Sequence, residues 1–302
     1  MKIRFWGVRG SIATPGQDTV RYGGNTPCVE VWDNRNLIIL DSGTGIRPLG
    51  LDLMKRFPAN TRIEAHLFIT HFHVDHIQGF PFFHPFYLPG NHFTIYGCEG
   101  AGKKLESIFM GQLSPEYFPV TLKEMPAELK FVQLTTRPVS LDGWTISPTY
   151  VNHPGLALGY RLDKGGRRIS YITDNEPFRY LLRQQGGHTD DIFDDLDKGG
   201  VDLEREDKNL VEFVRGSDVL IHDGMYTIDE YKTKLSWGHS FVEFAMEVAL
   251  QAQVKQLILF HHDPMHSDAI VDDILKDVRA LAARRSPKLQ VHAAQEGFEI
   301  DL

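Results

Sequence analysis

The chain has 302 residues, 42% hydrophobic and 24% charged, which is ample for a buried core and ordinary for a soluble globular enzyme. Its formal net charge is −8 at pH 7 and it has no Lys/Arg-rich run, which argues against long nucleic acid as a partner; a small anionic substrate stays open, because a bound metal can override the global field. The 2 cysteines, Cys28 and Cys98, lack disulfide-framework or zinc-knuckle spacing and read as reduced, partly buried thiols. Met1 runs directly into a strand pattern and no apolar run approaches a membrane span, so no signal peptide or membrane is expected and the cytoplasm is the expected compartment.

Short β-branched and aromatic runs separated by glycine-rich turns predict strands at Ile3–Val8, Cys28–Trp32, Leu37–Asp41 and Ile63–Thr70, with Gly10–Asn25 as a loop. Gly79–Gly90 is too rich in Phe and Pro for a long helix. Its Phe80, Phe82, Phe83, Phe86 and Tyr87 suit either a rim that stacks a base or ribose, or packing on the core or on a second subunit, which would make a homodimer. A helix is predicted over Lys103–Met110 and an irregular stretch over Pro115–Pro126. Strands return at Phe131–Leu134, Trp144–Val151, Ala157–Leu162 and Ile169–Thr173. The acidic residues 186–208 lack EF-hand spacing and read as a solvated face.

Towards the C-terminus, Asp218–His222 reads as a strand. Phe241, Phe244, Ala245, Val248, Ala249 and Ala252 form a buried helical stripe within Phe241–Ala252. Gln256–Phe260 is a buried strand, Ala269–Ala283 a helix, and Leu289–Ala293 with Phe298–Ile300 a final strand pair. Strands and helices mixed from end to end, with no linker or repeat, predict one α/β domain over residues 1–302.

The chemistry lies in His71-Phe72-His73-Val74-Asp75-His76, delivered by the apolar run Leu67-Phe68-Ile69-Thr70 at the strand end where α/β sheets usually place ligands. In extended chain His71 and His73 project to one side and can share a metal, while a curl brings Asp75 and His76 to a second. Imidazole and carboxylate donors suit zinc, with manganese or iron as alternatives. Four residues cannot saturate two ions. The best further candidates each follow an apolar run: His153 after Tyr150-Val151, Asp174 after Tyr171-Ile172-Thr173, and His261 after Leu257–Phe260.

This pattern resembles the metallo-β-lactamase superfamily, and within it the branch of ribonuclease Z-like and cyclic-phosphate phosphodiesterases. The resemblance implies an α/β fold, a four-layer αββα sandwich with two mixed sheets and two pseudo-symmetric halves. It implies that His71, His73 and His153 bind one divalent metal, that Asp75, His76 and His261 bind another, and that Asp174 bridges them. Asp41 matches a structural aspartate that supports the ligand loops. Leu220-Ile221-His222-Asp223 is similar to the His-Glu segment of ribonuclease Z with Asp in place of Glu, and Gly238-His239-Ser240 to its His-Ser-Thr segment with Phe241 in place of Thr. By that analogy Asp75, His239 and Asp223 are the catalytic candidates. His239 protonates the leaving alkoxide, or else only caps the helix beginning at Phe241, and Asp223 fixes the His239 tautomer. His262 divides between a supporting role behind the ligands and the surface.

The implied reaction is attack on phosphorus by a metal-bridged hydroxide with His239 as general acid. Ribonuclease Z carries a long basic arm between the third histidine and the bridging aspartate. Here only 20 residues, read as two strands and a turn, separate His153 from Asp174. A small phosphodiester is therefore the expected substrate, with a cyclic nucleotide preferred over a cyclic ribosyl phosphate and over ribonuclease Z-like RNA processing. Two rivals come from other classes. A di-iron oxygen-binding sensor is disfavoured by His73, where such proteins resemble a pattern with Glu. A thioester, lactone or β-lactam hydrolase would share the metals but needs no His239.

Overall fold

The computed structural model describes residues 1–33, 35–58, 61–99, 102–178 and 205–302. The chain divides into two compact units, Met1–Arg137 with Ala294–Leu302, and Pro138–Ala293. Of the acidic stretch 186–208, the portion up to 204 lies outside the described residues, and the remainder opens a helix at Arg205. No helix among the described residues is long and apolar enough to cross a membrane.

The first unit is built on strands β1 (Lys2–Gly7), β2 (Cys28–Trp32), β3 (Leu37–Leu40), β4 (Glu64–Phe68), β5 (His92–Gly97), β6 (Glu128–Gln133) and β14 (Glu299–Asp301). They form a mixed seven-stranded sheet in the order β14-β1-β2-β3-β4-β5-β6. The β1, β2 and β3 pairings are antiparallel, and those from β3 through β6 are parallel. A parallel pair needs a crossover, and α1 (Ile46–Arg56) supplies the one between β3 and β4. Every residue of β3 is buried, as expected for a central strand covered on both faces.

The remaining described elements of this unit are short: α2 (Val74–Ile77), 3₁₀ turns at Phe80–Phe82, His84–Tyr87 and Leu122–Glu124, and α3 (Leu105–Gln112). Phe80, Phe83 and Phe86 are buried in the unit's core, and Phe86 meets Phe93 edge-on at 4.9 Å. The Tyr87 hydroxyl donates to the Pro81 carbonyl. Of the five aromatic residues expected to offer a stacking rim, only Phe82 is largely exposed, at 56%. The loop therefore packs on its own core, because its 3₁₀ spacing turns every third ring inward.

The second unit holds β7 (Val139–Leu141), β8 (Trp144–Tyr150), β9 (Leu158–Lys164), β10 (Arg167–Ile172), α4 (Arg205–Val214), β11 (Val219–Asp223), α5 (Ile228–Tyr231), α6 (Val242–Gln251), β12 (Gln256–Phe260), α7 (Asp268–Arg285) and β13 (Gln290–Ala293). Its sheet order is β13-β12-β11-β10-β9-β8-β7. The strands β10 through β13 pair in parallel, and β7 through β10 antiparallel. The expected stripe from Phe241 to Ala252 is buried along α6.

The C-terminal run does not form a hairpin. β13 pairs with β12, with Gln256 opposite Gln290, whereas β14 closes the edge of β1, with Ile3 opposite Ile300. Local pattern shows two short apolar runs about a glycine, but each finds its hydrogen-bond partners on a strand distant in sequence. Neither cysteine is in a disulfide, and both are buried. Burial raises both thiols, Cys98 to about 11, and Glu30, Asp41 and Glu296 add to the effect at Cys28, so neither is a ready thiolate.

Candidate active site

In the first unit, β3 and β4 run parallel with Leu40 opposite Phe68, so the chain leaves both strands at the same edge. Asp41 follows β3 with φ 60°, a region that Asp and Asn tolerate better than most residues. Its Oδ1 accepts from the Thr70 amide at 2.8 Å and the Thr70 hydroxyl at 3.0 Å, and its Oδ2 lies 2.9 Å from His76 Nδ1. Asp41 thus ties the end of β4 to the one-turn helix α2, the support expected of it.

The ligand cluster builds on that support. The Thr70 hydroxyl lies 3.1 Å from His71 Nδ1, while the His71 ring lies 4.6 Å from that of His73 and 4.2 Å from that of His76. His76 Nε2 is 3.3 Å from Asp75 Oδ2, which also accepts from the Ser11 amide. With Nδ1 of His76 held by a carboxylate, Nε2 is the nitrogen presented to an ion. This outer-shell arrangement commonly orients metal-binding histidines. Asp75, His76 and His71 are buried and His73 is exposed.

Glycines make the curl possible. A Cβ on Gly79, just after α2, would sit 2.0 Å from the Gly43 carbonyl oxygen, and one on Gly43 would sit 2.3 Å from the Asp75 carbonyl oxygen. Neither obstacle is a flexible side-chain end, so the backbone itself would have to move. Gly79→Ala should therefore destabilise by about 1–3 kcal/mol, read as a lower midpoint in thermal or urea unfolding. An unchanged midpoint would contradict this account of the turn.

In the second unit, β8 is antiparallel to β9 and β9 to β10, so β8 runs in the direction of β10, β11 and β12. All four strands release the chain at one edge, and His153, Asp174, the Asp223 terminus of β11 and His261 collect there. Asp174 at φ 49° and His261 at φ 62° both occupy the left-handed region, a conformation costing roughly 1–3 kcal/mol that tends to concentrate at functional sites. His261 Nε2 is 3.3 Å from Asp174 Oδ1, and His153 Nε2 is 3.8 Å from Asp174 Oδ2. His153 Nδ1 donates to the Gly238 carbonyl at 2.8 Å, which leaves Nε2 as the nitrogen available to an ion. Within each unit the donors are imidazole nitrogen and carboxylate oxygen, several held by their far atoms, and this chemistry fits a divalent ion.

His239 and Asp223 differ from the other residues. Asp223, His239 and His261 each offer a ligand atom within 4.8 Å of the others. Asp223, however, is already engaged by four donors. Its Oδ2 accepts from His239 Nδ1 at 3.1 Å and from the amides of Asn175 and Ser240, and its Oδ1 accepts from the Met225 amide. Three of the four bonds fall on Oδ2, the oxygen that faces His239, which suits Asp223 to orienting that ring. His239 lies two residues before the α6 cap residue Phe241 and spends Nδ1 on Asp223, so it is not the helix cap. It retains 8% exposure, and its ring stacks on His261 at 5.0 Å. His262 is buried, at 4% exposure.

Glu176 escaped the sequence reading. It is 1% exposed and accepts from the Tyr231 hydroxyl and the amides of Ser236 and Gly238. Burial raises its pKa, against the lowering effect of those hydrogen bonds. The available signal was the polar run Asp174-Asn175-Glu176 directly after an apolar strand.

Two mixed seven-stranded sheets with helices, and histidine–aspartate sets at the strand ends, define a metal-dependent hydrolase of the metallo-β-lactamase fold. The chain belongs to the beta-lactamase superfamily, whose domain description matches residues 36–195, and its likeness to relatives named Ribonuclease Z fits the ribonuclease Z-like branch. It is 28% identical to Ribonuclease Z of Thermoplasma acidophilum, in a match covering 92% of this chain and 91% of the relative. Among solved structures it is similar to the metallo-beta-lactamase fold protein YhfI from Bacillus subtilis, with TM-score 0.65, 17% identity and 99% of each chain covered. It is also similar to unliganded yeast PDE1, with TM-score 0.65, 16% identity and coverage of 100% of this chain and 99% of that one.

Proposed function

We propose that this chain is a dinuclear metal-dependent phosphodiesterase acting on a small phosphodiester, with a cyclic nucleotide as the preferred substrate. His71, His73 and His153 would hold the first ion, Asp75, His76 and His261 the second, and Asp174 would serve both. Residues 1–302 are taken as one functional domain. Zinc is the first expectation for the metal, with manganese or iron as alternatives. Such ions supply Lewis-acid charge on the phosphoryl oxygens and a water acidic enough to act near neutral pH. Asp75, His239 and Asp223 are the catalytic set. The Asp223 carboxylate accepts a hydrogen bond from His239 Nδ1–H; as an imidazolium His239 then gives its Nε2–H proton to the leaving alkoxide and is left as the neutral Nδ1–H imidazole.

The preference for a small substrate rests on one observation. The His153–Asp174 connection is the closed β9–β10 hairpin, turning at Gly165 and Gly166, with no room for a basic arm. The relatives named Ribonuclease Z favour a second reading, 3′ processing of precursor tRNA.

The test is a turnover screen of metal-loaded protein against 3′,5′- and 2′,3′-cyclic nucleotides, a cyclic ribosyl phosphate, precursor tRNA, a lactone and a thioester. Turnover of a small cyclic phosphodiester without tRNA cleavage is the expected result. Efficient tRNA cleavage at physiological salt, or lactonase activity without phosphodiesterase activity, would overturn it.

A further inference from the structure

Three loops of the second unit carry the residues just assigned: Asn152–His153, Asp174–Glu176 and Ser236–His239. They are tied at one place. The Glu176 amide donates to the Asn152 carbonyl at 2.7 Å, and Asn152 Nδ2 returns a bond to the Glu176 carbonyl at 2.8 Å. The Glu176 side chain then reaches the third loop. Its Oε1 accepts from the Tyr231 hydroxyl at 3.0 Å and the Ser236 amide at 2.8 Å, and its Oε2 accepts from the Gly238 amide at 2.8 Å. Ser236 at φ 69° occupies the left-handed region that a serine seldom adopts, whereas Gly238 at φ 89° takes it freely. The Gly238 peptide faces two ways, its amide to Glu176 and its carbonyl to His153 Nδ1. The fit is close, for a Cβ on Gly238 would lie 2.3 Å from His153 Nδ1.

We propose that Glu176 is a positioning residue that orients both His153 and His239 by clamping the Ser236–Gly238 backbone. The inference rests on the roles given to those two histidines under the proposed function. A carboxylate is required because two backbone amides point at different oxygens of one group. In glutamine one of those positions becomes an NH₂ facing an N–H, whichever way the amide is flipped. Shortening to aspartate withdraws the group from both.

The experiment uses the full chain and three readouts on Glu176→Gln. Imidazole ¹⁵N–¹H correlation spectra of the metal-free protein report whether His153 keeps its Nδ1–H tautomer. Chelator competition with zinc reports affinity. Steady-state kinetics on a phosphodiester with a poor leaving group separates kcat from KM. Expected are a changed His153 tautomer signature, one zinc ion held about 10–100-fold more weakly, and a fall in kcat with KM nearly unchanged. A folded Glu176→Gln protein with wild-type His153 resonances and wild-type zinc affinity overturns the proposal.

The tautomer readout needs neither metal nor substrate, so it judges Glu176 even if the wild-type protein proves not to be a phosphodiesterase. Should Glu176→Gln fail to fold, Tyr231→Phe decides. It keeps the ring that packs on Phe241 at 4.9 Å and removes one of the three donors. A severalfold loss of zinc affinity in that variant supports the clamp, and an unchanged affinity rejects it.

Discussion

His76→Ala should leave a folded protein with one metal ion fewer and no useful activity on any substrate, good or poor leaving group alike. His76 is fully buried, with Nδ1 on Asp41 and Nε2 3.3 Å from Asp75. Its removal takes away a ligand and also frees Asp75, which shares the proposed ion. The effect lies in ground-state assembly of the centre, so kcat falls for every ester by a similar factor, without a leaving-group trend. Metal analysis after dialysis against weak chelator, beside kinetics on a bis-aryl and an alkyl phosphodiester, is the check. Asp41→Asn gives the graded counterpart. It keeps a hydrogen-bonding group at 41 but loses the carboxylate that holds Thr70 and His76 together, and should weaken metal binding by about 10–100-fold without abolishing it. Retention of two ions in His76→Ala would remove His76 from the ligand set.

The candidate site residues stand out in the sequence more than several of the elements around them, and the reason is physical. A ligand at a strand end announces itself locally, because an apolar run needs no reason to stop at a histidine or aspartate. Leu257–Phe260 before His261 and Tyr171–Thr173 before Asp174 are both of this kind. Asp41 was legible for the same reason, although its left-handed backbone was not. The features that stayed hidden depend on partners far along the chain. Glu176 has its role only because the amides of Ser236 and Gly238 return to it across 60 and 62 residues. The helix α1 was masked by Pro48 and Gly50, though its buried Ile46, Leu49, Gly50 and Leu53 keep helical spacing. The strand β5 is obscured by the Pro89-Gly90 turn before it. β13 and β14 look like neighbours in sequence and are sorted into different sheets by the strands that pair with them.

His239→Ala should keep both ions and most of the substrate affinity while losing about 10²–10⁴ in kcat on esters with alkoxide leaving groups. Asp223 accepts four hydrogen bonds and leaves His239 Nδ1 no role but donor. In the imidazolium form the far nitrogen carries the proton that a departing alkoxide requires, and a sugar alkoxide is a poor leaving group without it. A p-nitrophenolate scarcely needs that proton, so on p-nitrophenyl esters the loss should shrink towards the effect of altered packing alone. Asp223→Asn should show a weaker version of the same trend. It turns one accepting oxygen into an NH₂ while keeping the shape, and so disturbs the tautomer of His239 rather than deleting the acid. Metal content separates this from a ligand role: a ligand lost at 239 would release an ion, as a metal-binding triad of Asp223, His239 and His261 requires. Equal losses on aryl and alkyl esters with both ions still bound would mean that His239 supports binding or structure and that the leaving-group proton comes from elsewhere.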